Sequence, residues 1–108
     1  MDRYKEIIPK FEKFKRKIET EQPHDIRIND IKASKDTVKN SLNKEGIEFE
    51  EREWNEKFLK LNSNPSKTMA HWTGEFYIQE SSSGIPPLAL NPKPQDDIFD
   101  MCAAPGSK

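Results

Sequence analysis

The sequence predicts an α+β fold, and three observations carry that prediction. Apolar residues recur at helical spacing near the start of the chain. Further on they alternate at strand spacing on both sides of a second helical stretch. Glycine, proline and serine then punctuate the joins. With 108 residues, the chain holds one small domain and is too short for two catalytic lobes. Charged residues make up 34% of it and hydrophobic ones 32%, so the core must be thin and the stability marginal.

Tyr4, Ile7, Ile8, Phe11, Phe14 and Ile18 share one stripe of a helix whose other face is rich in Lys and Glu. Pro9 lacks an amide donor, which predicts a short turn over residues 2 to 7 and a main helix starting near Pro9. Ile26 to Lys32 alternates between Pro23 and Ser34 and reads as a half-buried strand. Ser34 is placed to cap a helix whose Val38 and Leu42 face inward, and Gly46 is placed to end it in the left-handed conformation. Ile47 and Phe49, alternating with Glu48 and Glu50, predict a second strand, and Phe58, Leu59 and Leu61 a third. Asn62 to Lys67 is a loop around Pro65.

Met69, Trp72, Phe76, Tyr77 and Ile78 cluster around Gly74, with a strand expected over residues 75 to 79. Ser81, Ser82 and Ser83 precede a helix that starts at Gly84 or Ile85, so Pro86 and Pro87 fall in its first turn, where amides lack partners anyway. Asn91 to Asp97 is a connector. Ile98, Phe99 and Met101 then predict a short apolar strand running into a Pro-Gly loop, half of a βα junction.

Lys and Arg total 18 against 19 Asp and Glu, so no overall basic field holds nucleic acid and any such role needs local patches. Residues 1 to 17 carry a surplus of four positive charges, read either as a phosphate-facing patch or as a solvated helix face. Residues 45 to 56 carry a net charge of −5, a face expected to repel phosphate. Cys102, the single cysteine, excludes an internal disulfide and a zinc site built on paired cysteines. His24 and His71 lack metal-ligand spacing, and no nucleophile or carboxylate near His71 calls for a catalytic base. No metal is expected. The N-terminus shows no signal-peptide region and no stretch approaches a membrane span, so the expectation is a soluble, cytoplasmic protein without membrane partners. Trp54 and Trp72 are expected to complete the core, base stacking being the alternative.

The last nine residues, Asp100-Met101-Cys102-Ala103-Ala104-Pro105-Gly106-Ser107-Lys108, place small side chains directly after the predicted strand. A doubly wound sheet binds its ligand at such a point, and a tight structural turn uses the same Pro-Gly. The segment resembles the first cofactor-binding motif of the NOL/NOP/Sun family of RNA 5-methylcytosine methyltransferases. Gly74-Glu75-Phe76-Tyr77-Ile78-Gln79-Glu80, with Ser82, Ser83, Ile85, Pro86, Pro87 and Leu88, is similar to the family's segment leading into that motif. Ile26-Arg27-Ile28-Asn29-Asp30-Ile31-Lys32 looks like its Arg-Val-Asn strand. The likeness is strong over residues 74 to 108 and looser over 4 to 63, and is nearest to archaeal members acting on tRNA or rRNA.

The resemblance implies an N-terminal fragment: a helix and a small α+β RNA-binding module over residues 1–66, then the start of a truncated Rossmann-like methyltransferase domain over 67–108. It implies that Cys102, Ala103, Ala104, Pro105, Gly106, Ser107 and Lys108 line an S-adenosylmethionine pocket, with Lys108 neutralising charge and helix-start amides near the carboxylate. It also implies RNA contacts by Arg27, Asn29, Lys32 and Gln79, although Arg27 has potential ion-pair partners in Asp25 and Glu48 and Asn29 suits a turn.

Carbon five of cytosine becomes nucleophilic only after a thiolate adds to the neighbouring ring carbon. In the family that thiolate comes from downstream motifs, so no catalytic residue is expected in this chain and Cys102 is expected to be a packed loop residue. The ribose-binding acid and most of the parallel sheet also belong downstream. The strand at Ile98 to Met101 should then fray or find another edge, and the fragment alone should neither bind the cofactor tightly nor methylate. A ribose methyltransferase, which shares Ala-Ala-Pro-Gly, and a noncatalytic RNA-binding module are the rival readings.

Overall fold

The alternating segments become a four-stranded antiparallel sheet in the computed structural model, which describes residues 2–20, 23–104 and 106–107. The strands are β1 (His24–Ile28), β2 (Phe49–Glu51), β3 (Phe58–Leu61) and β4 (Phe76–Ile78), in the spatial order β2-β3-β1-β4. Four helices accompany them: α1 (Phe11–Glu19), α2 (Lys35–Lys44), the single turn α3 (Met69–Trp72) and α4 (Ile85–Leu90). The α+β expectation holds. β4, drawn from residues 67–108, pairs with β1 of the preceding segment, with Ile26 opposite Ile78 and Ile28 opposite Phe76.

Alternate residues of the strands face opposite ways. Ile26, Ile28, Leu59, Leu61 and Phe76 form the inner face, closed by Val38 and Leu42 of α2 with Ala33, Ile47 and Ala70. α2 sits there because its ends are well made. Ser34 Oγ accepts the Thr37 amide at 3.2 Å as its N-cap. At the other end Gly46 takes φ +71°, and the amides of Gly46 and Ile47 donate to the carbonyls of Asn43 and Leu42. That is a Schellman cap, with Ile47 and Leu42 in the same core. Ile47 therefore belongs to the helix cap, and β2 begins only at Phe49.

Four expectations are corrected. The first strand spans His24–Ile28 instead of Ile26 to Lys32. Asn29 ends it: its carbonyl accepts the amides of Lys32 and Ala33, its Oδ1 accepts that of Ile31, and Ile31 is left 96% exposed. The first long helix begins at Phe11, because Lys10 adopts a left-handed φ of +59° and interrupts any helix from Pro9. Of its stripe only Phe11 is buried, while Ile7, Phe14 and Ile18 face solvent. Trp54 and Trp72 are not core residues: Trp54 leans on Phe58 at a ring separation of 4.9 Å, and Trp72 is 80% exposed. Residues 98–101 form no strand, and Ile98, Phe99 and Met101 are exposed. No neighbouring strand among the described residues offers them backbone partners, so apolar character alone does not make a strand.

α4 starts at Ile85 with Pro86 and Pro87 in its first turn, as expected, and Asn91 closes it at φ +48°. Ser81–Gly84 is a 3-10 turn that leads into it. No helix among the described residues is long and apolar enough to cross a membrane.

Candidate functional site

Because Ile26 and Ile28 face α2, Arg27 between them faces the other way, onto the outer side of the sheet. There it lies opposite Phe58 on β3 and opposite Tyr77 on β4, so the three side chains form one row across the strands. The ends of that row differ. Phe58 is buried beneath Gly84, where any Cβ would overlap its ring, and beside Trp54. Tyr77 is 44% exposed.

A groove of about 510 Å³ opens along this row, lined in part by Arg27, Lys32, Lys57, Phe58, Tyr77 and Leu88. Its charged lining residues are Arg27, Lys32 and Lys57 against Asp30, a surplus of two positive charges in a chain whose net charge is −1. Lys57 pairs with Asp30. Lys32 has no acidic partner among the described residues and donates to the Thr73 carbonyl at 3.1 Å, beside Gly74 in the left-handed region. Arg27 has neither an ion pair nor a side-chain hydrogen bond among the described residues. Asp25, a partner the sequence offered it, is buried in a bidentate pair with Arg52 at 2.7 and 2.9 Å, and Glu48 accepts from Asn62.

Asn29 is committed to its turn at both ends: Nδ2 donates to the Gly74 carbonyl at 2.9 Å and Oδ1 accepts from Ile31. Gln79 is buried. Its amide nitrogen donates to the Ser107 carbonyl, while Oε1 is buried with no partner among the described residues. Two places earlier on β4, the Tyr77 hydroxyl donates to the Gly106 carbonyl at 3.4 Å. Tyr77 of β4 and Gln79 just after the strand thus hold two consecutive carbonyls of the terminal loop.

In that loop the Cys102 amide donates to Asp100 Oδ1 at 2.8 Å. Cys102 is exposed, not packed, which corrects its expected burial, and Ala103 and Ala104 are exposed too. Gly106 has φ +93°, a conformation that side chains oppose, and Ser107 is half-buried. Small side chains and a left-handed glycine let the backbone approach a ligand closely, which fits a cofactor held by main-chain groups. Pro105 and Lys108, also expected to line that pocket, lie outside the described residues. No cluster of His, Cys, Asp or Glu able to hold a metal is present among the described residues.

The acidic stretch around β2 is partly neutralised by lysines that lie outside it in sequence or across the sheet. Glu51 pairs with Lys35 and Lys39, and hydrogen bonds from those amines lower its pKa from the ordinary 4.5 to about 2. Lys60 lowers that of Glu50 by the same means, and Glu45 accepts the Met69 amide. His71 stacks on Phe76 at 5.7 Å, a structural placement. The row through Tyr77 escaped sequence reasoning because it needs the pairing of β1 with β4, and no local pattern encodes a register between such distant segments.

Residues 1–81 match the family described as the N-terminal domain of 16S rRNA methyltransferase RsmF. A ribosomal RNA small subunit methyltransferase F from Shewanella loihica is 38% identical over 92 residues, covering 77% of this chain and 19% of the relative. A tRNA (cytosine(49)-C(5))-methyltransferase from Pyrococcus abyssi is 39% identical over 87 residues, covering 77% of this chain and 28% of the relative. The crystal structure of PH0851 superposes with a TM-score of 0.71 at 29% identity, over 86% of this chain and 22% of that one. The chain thus spans between 19% and 28% of the length of these curated relatives.

Proposed function

The chain belongs to the family of the RsmF N-terminal domain, within the NOL/NOP/Sun methyltransferases, and from that premise we propose that it is the N-terminal portion of a cytoplasmic, S-adenosylmethionine-dependent methyltransferase that modifies carbon five of cytosine in tRNA or rRNA. The family match over residues 1–81 carries the reading. The Pyrococcus abyssi relative's name favours base over ribose methylation.

In this reading residues 1–66 grip RNA and residues 67–108 open a Rossmann-like methyltransferase domain, the two sharing the β1–β4 pairing. Arg27 and Lys32 meet phosphates directly. Asn29 serves them by fixing the turn between them, and Gln79 serves RNA through the loop it holds. Residues 102–108 contact the cofactor mainly through backbone groups, and Lys108 supplies positive charge. The cofactor brings an electrophilic methyl group. The nucleophilic cysteine and the acid for the cofactor's ribose lie on other parts of the enzyme, so these 108 residues alone neither bind the cofactor tightly nor turn over.

A noncatalytic RNA-binding module is the second reading, favoured by the positively charged groove on the outer face of the sheet. Gel-shift titration of this chain with tRNA and with a 16S rRNA fragment over a salt series tests what both readings share. Phosphate contacts predict affinity that falls steeply with salt, and salt-independent or absent binding overturns them. Calorimetric titration of S-adenosylmethionine into the same chain should give no low-micromolar binding, and such binding would refute the inactive-fragment reading.

A further inference from the structure

We propose that the groove on the outer face of the sheet is a seat for one unpaired nucleotide of an RNA single strand, its base stacked on Tyr77 and its phosphate held by Arg27 and Lys32. The proposal deepens the RNA-binding reading above and rests on it.

Arg27 is half-buried on a central strand with no counter-charge among the described residues. Neighbouring cations are engaged: Arg52 holds Asp25, Lys60 holds Glu50, Lys57 holds Asp30, and Lys32 is bonded to a carbonyl that leaves its charge uncompensated. A partly desolvated guanidinium in a groove with two surplus positive charges selects an anion, and its planar fork of donors suits phosphate oxygens.

The neighbour of Arg27 in the row selects the rest of the ligand. Tyr77 presents a half-exposed ring, fixed at its far end by the hydrogen bond to Gly106, and Pro87 and Leu88 add apolar wall. An immobilised aromatic ring next to an unpaired cation fits a base followed by its phosphate. A paired duplex keeps its bases stacked inside and cannot offer one to Tyr77. Phe58, the third member of the row, is closed off beneath Gly84, so the seat takes one base and not a run.

The test uses this chain and three fluorescent RNAs: a single-stranded oligocytidylate, a fully paired duplex and an intact tRNA, read by anisotropy. The oligocytidylate should bind, and more tightly than the duplex. Tyr77→Ala should weaken it by about tenfold or more, while Tyr77→Phe, which keeps the ring but loses its bond to Gly106, should weaken it by far less. Arg27→Gln should weaken it and reduce the salt slope by about one. Far-UV circular dichroism with urea unfolding of each variant separates lost contact from lost fold. If tRNA binds with ordinary salt dependence but Tyr77→Ala binds the oligocytidylate as the parent does, the seat is overturned and the RNA-binding reading stands. Equal affinity for duplex and single strand overturns the seat too. Failure of all three RNAs to bind overturns both.

Discussion

The two faces of the sheet are made from neighbouring residues of the same strands, yet they finish in opposite states. The inner face, with Ile26, Ile28, Leu59 and Leu61, is closed by a helix capped at both ends and is buried almost completely. The outer face, with Asp25, Arg27, Lys60 and Tyr77, is covered where Gly84 and Trp54 meet Phe58 and where Arg52 closes over Asp25. Elsewhere it is polar, paired by charge and open along a groove. Stability is concentrated on one side and accessible chemistry on the other, an arrangement the pleat of the strands makes possible at no extra length of chain.

That contrast can be broken by substitution, and the largest effect should come from the inner face. Leu42→Ala removes a fully buried side chain between α2 and the sheet and should cost about 2–5 kcal/mol, read as a lower urea midpoint. Gly84→Ala forces the Phe58 ring aside at a closed part of the outer face and should cost about 1–3 kcal/mol. A smaller effect is expected at Glu51, which ties β2 to α2 at the sheet's edge through Lys35 and Lys39.

The folded-state pKa of Glu51 lies below its ordinary value, so its contribution is complete above pH 4.5 and is lost as pH falls through about 2. Comparing the unfolding of the parent and Glu51→Gln across that range should show the gap between them closing toward acid. Smallest of all, Tyr77→Ala should change stability by about 0.5 kcal/mol or less while weakening oligocytidylate binding. A large loss of stability there would mean the outer face is also core, and the contrast would fail.

Much of the fold was legible because its signals are local. Ser34, Gly46 and the prolines of α4 act within a turn of where they stand, and each did what its chemistry predicts. The inward pair Val38 and Leu42 followed from helical spacing alone. What misled was apolar character without pairing information. Trp72, Phe99 and Ile31 are hydrophobic yet exposed, because burial requires a facing surface that a sequence window does not contain.

The charge reading of residues 45–56 was incomplete for a related reason. Lys35, Lys39 and Lys60, outside that window, meet its carboxylates in space. For the site, the motif residues were visible as composition and family likeness, and Arg27 and Lys32 as cations. Their conjunction with Tyr77 was not visible, since it depends on β4 closing against β1.

The side-chain amide of Gln79 has its nitrogen occupied and its oxygen buried without a donor among the described residues. A hidden acceptor of this kind behaves as a socket of fixed polarity, since leaving it empty costs on the order of 1–3 kcal/mol. Whatever molecule or stretch of polypeptide next settles against the loop at Ser107 is favoured if it brings an N–H or O–H group to that oxygen. A bare carbonyl or carboxylate is turned away there.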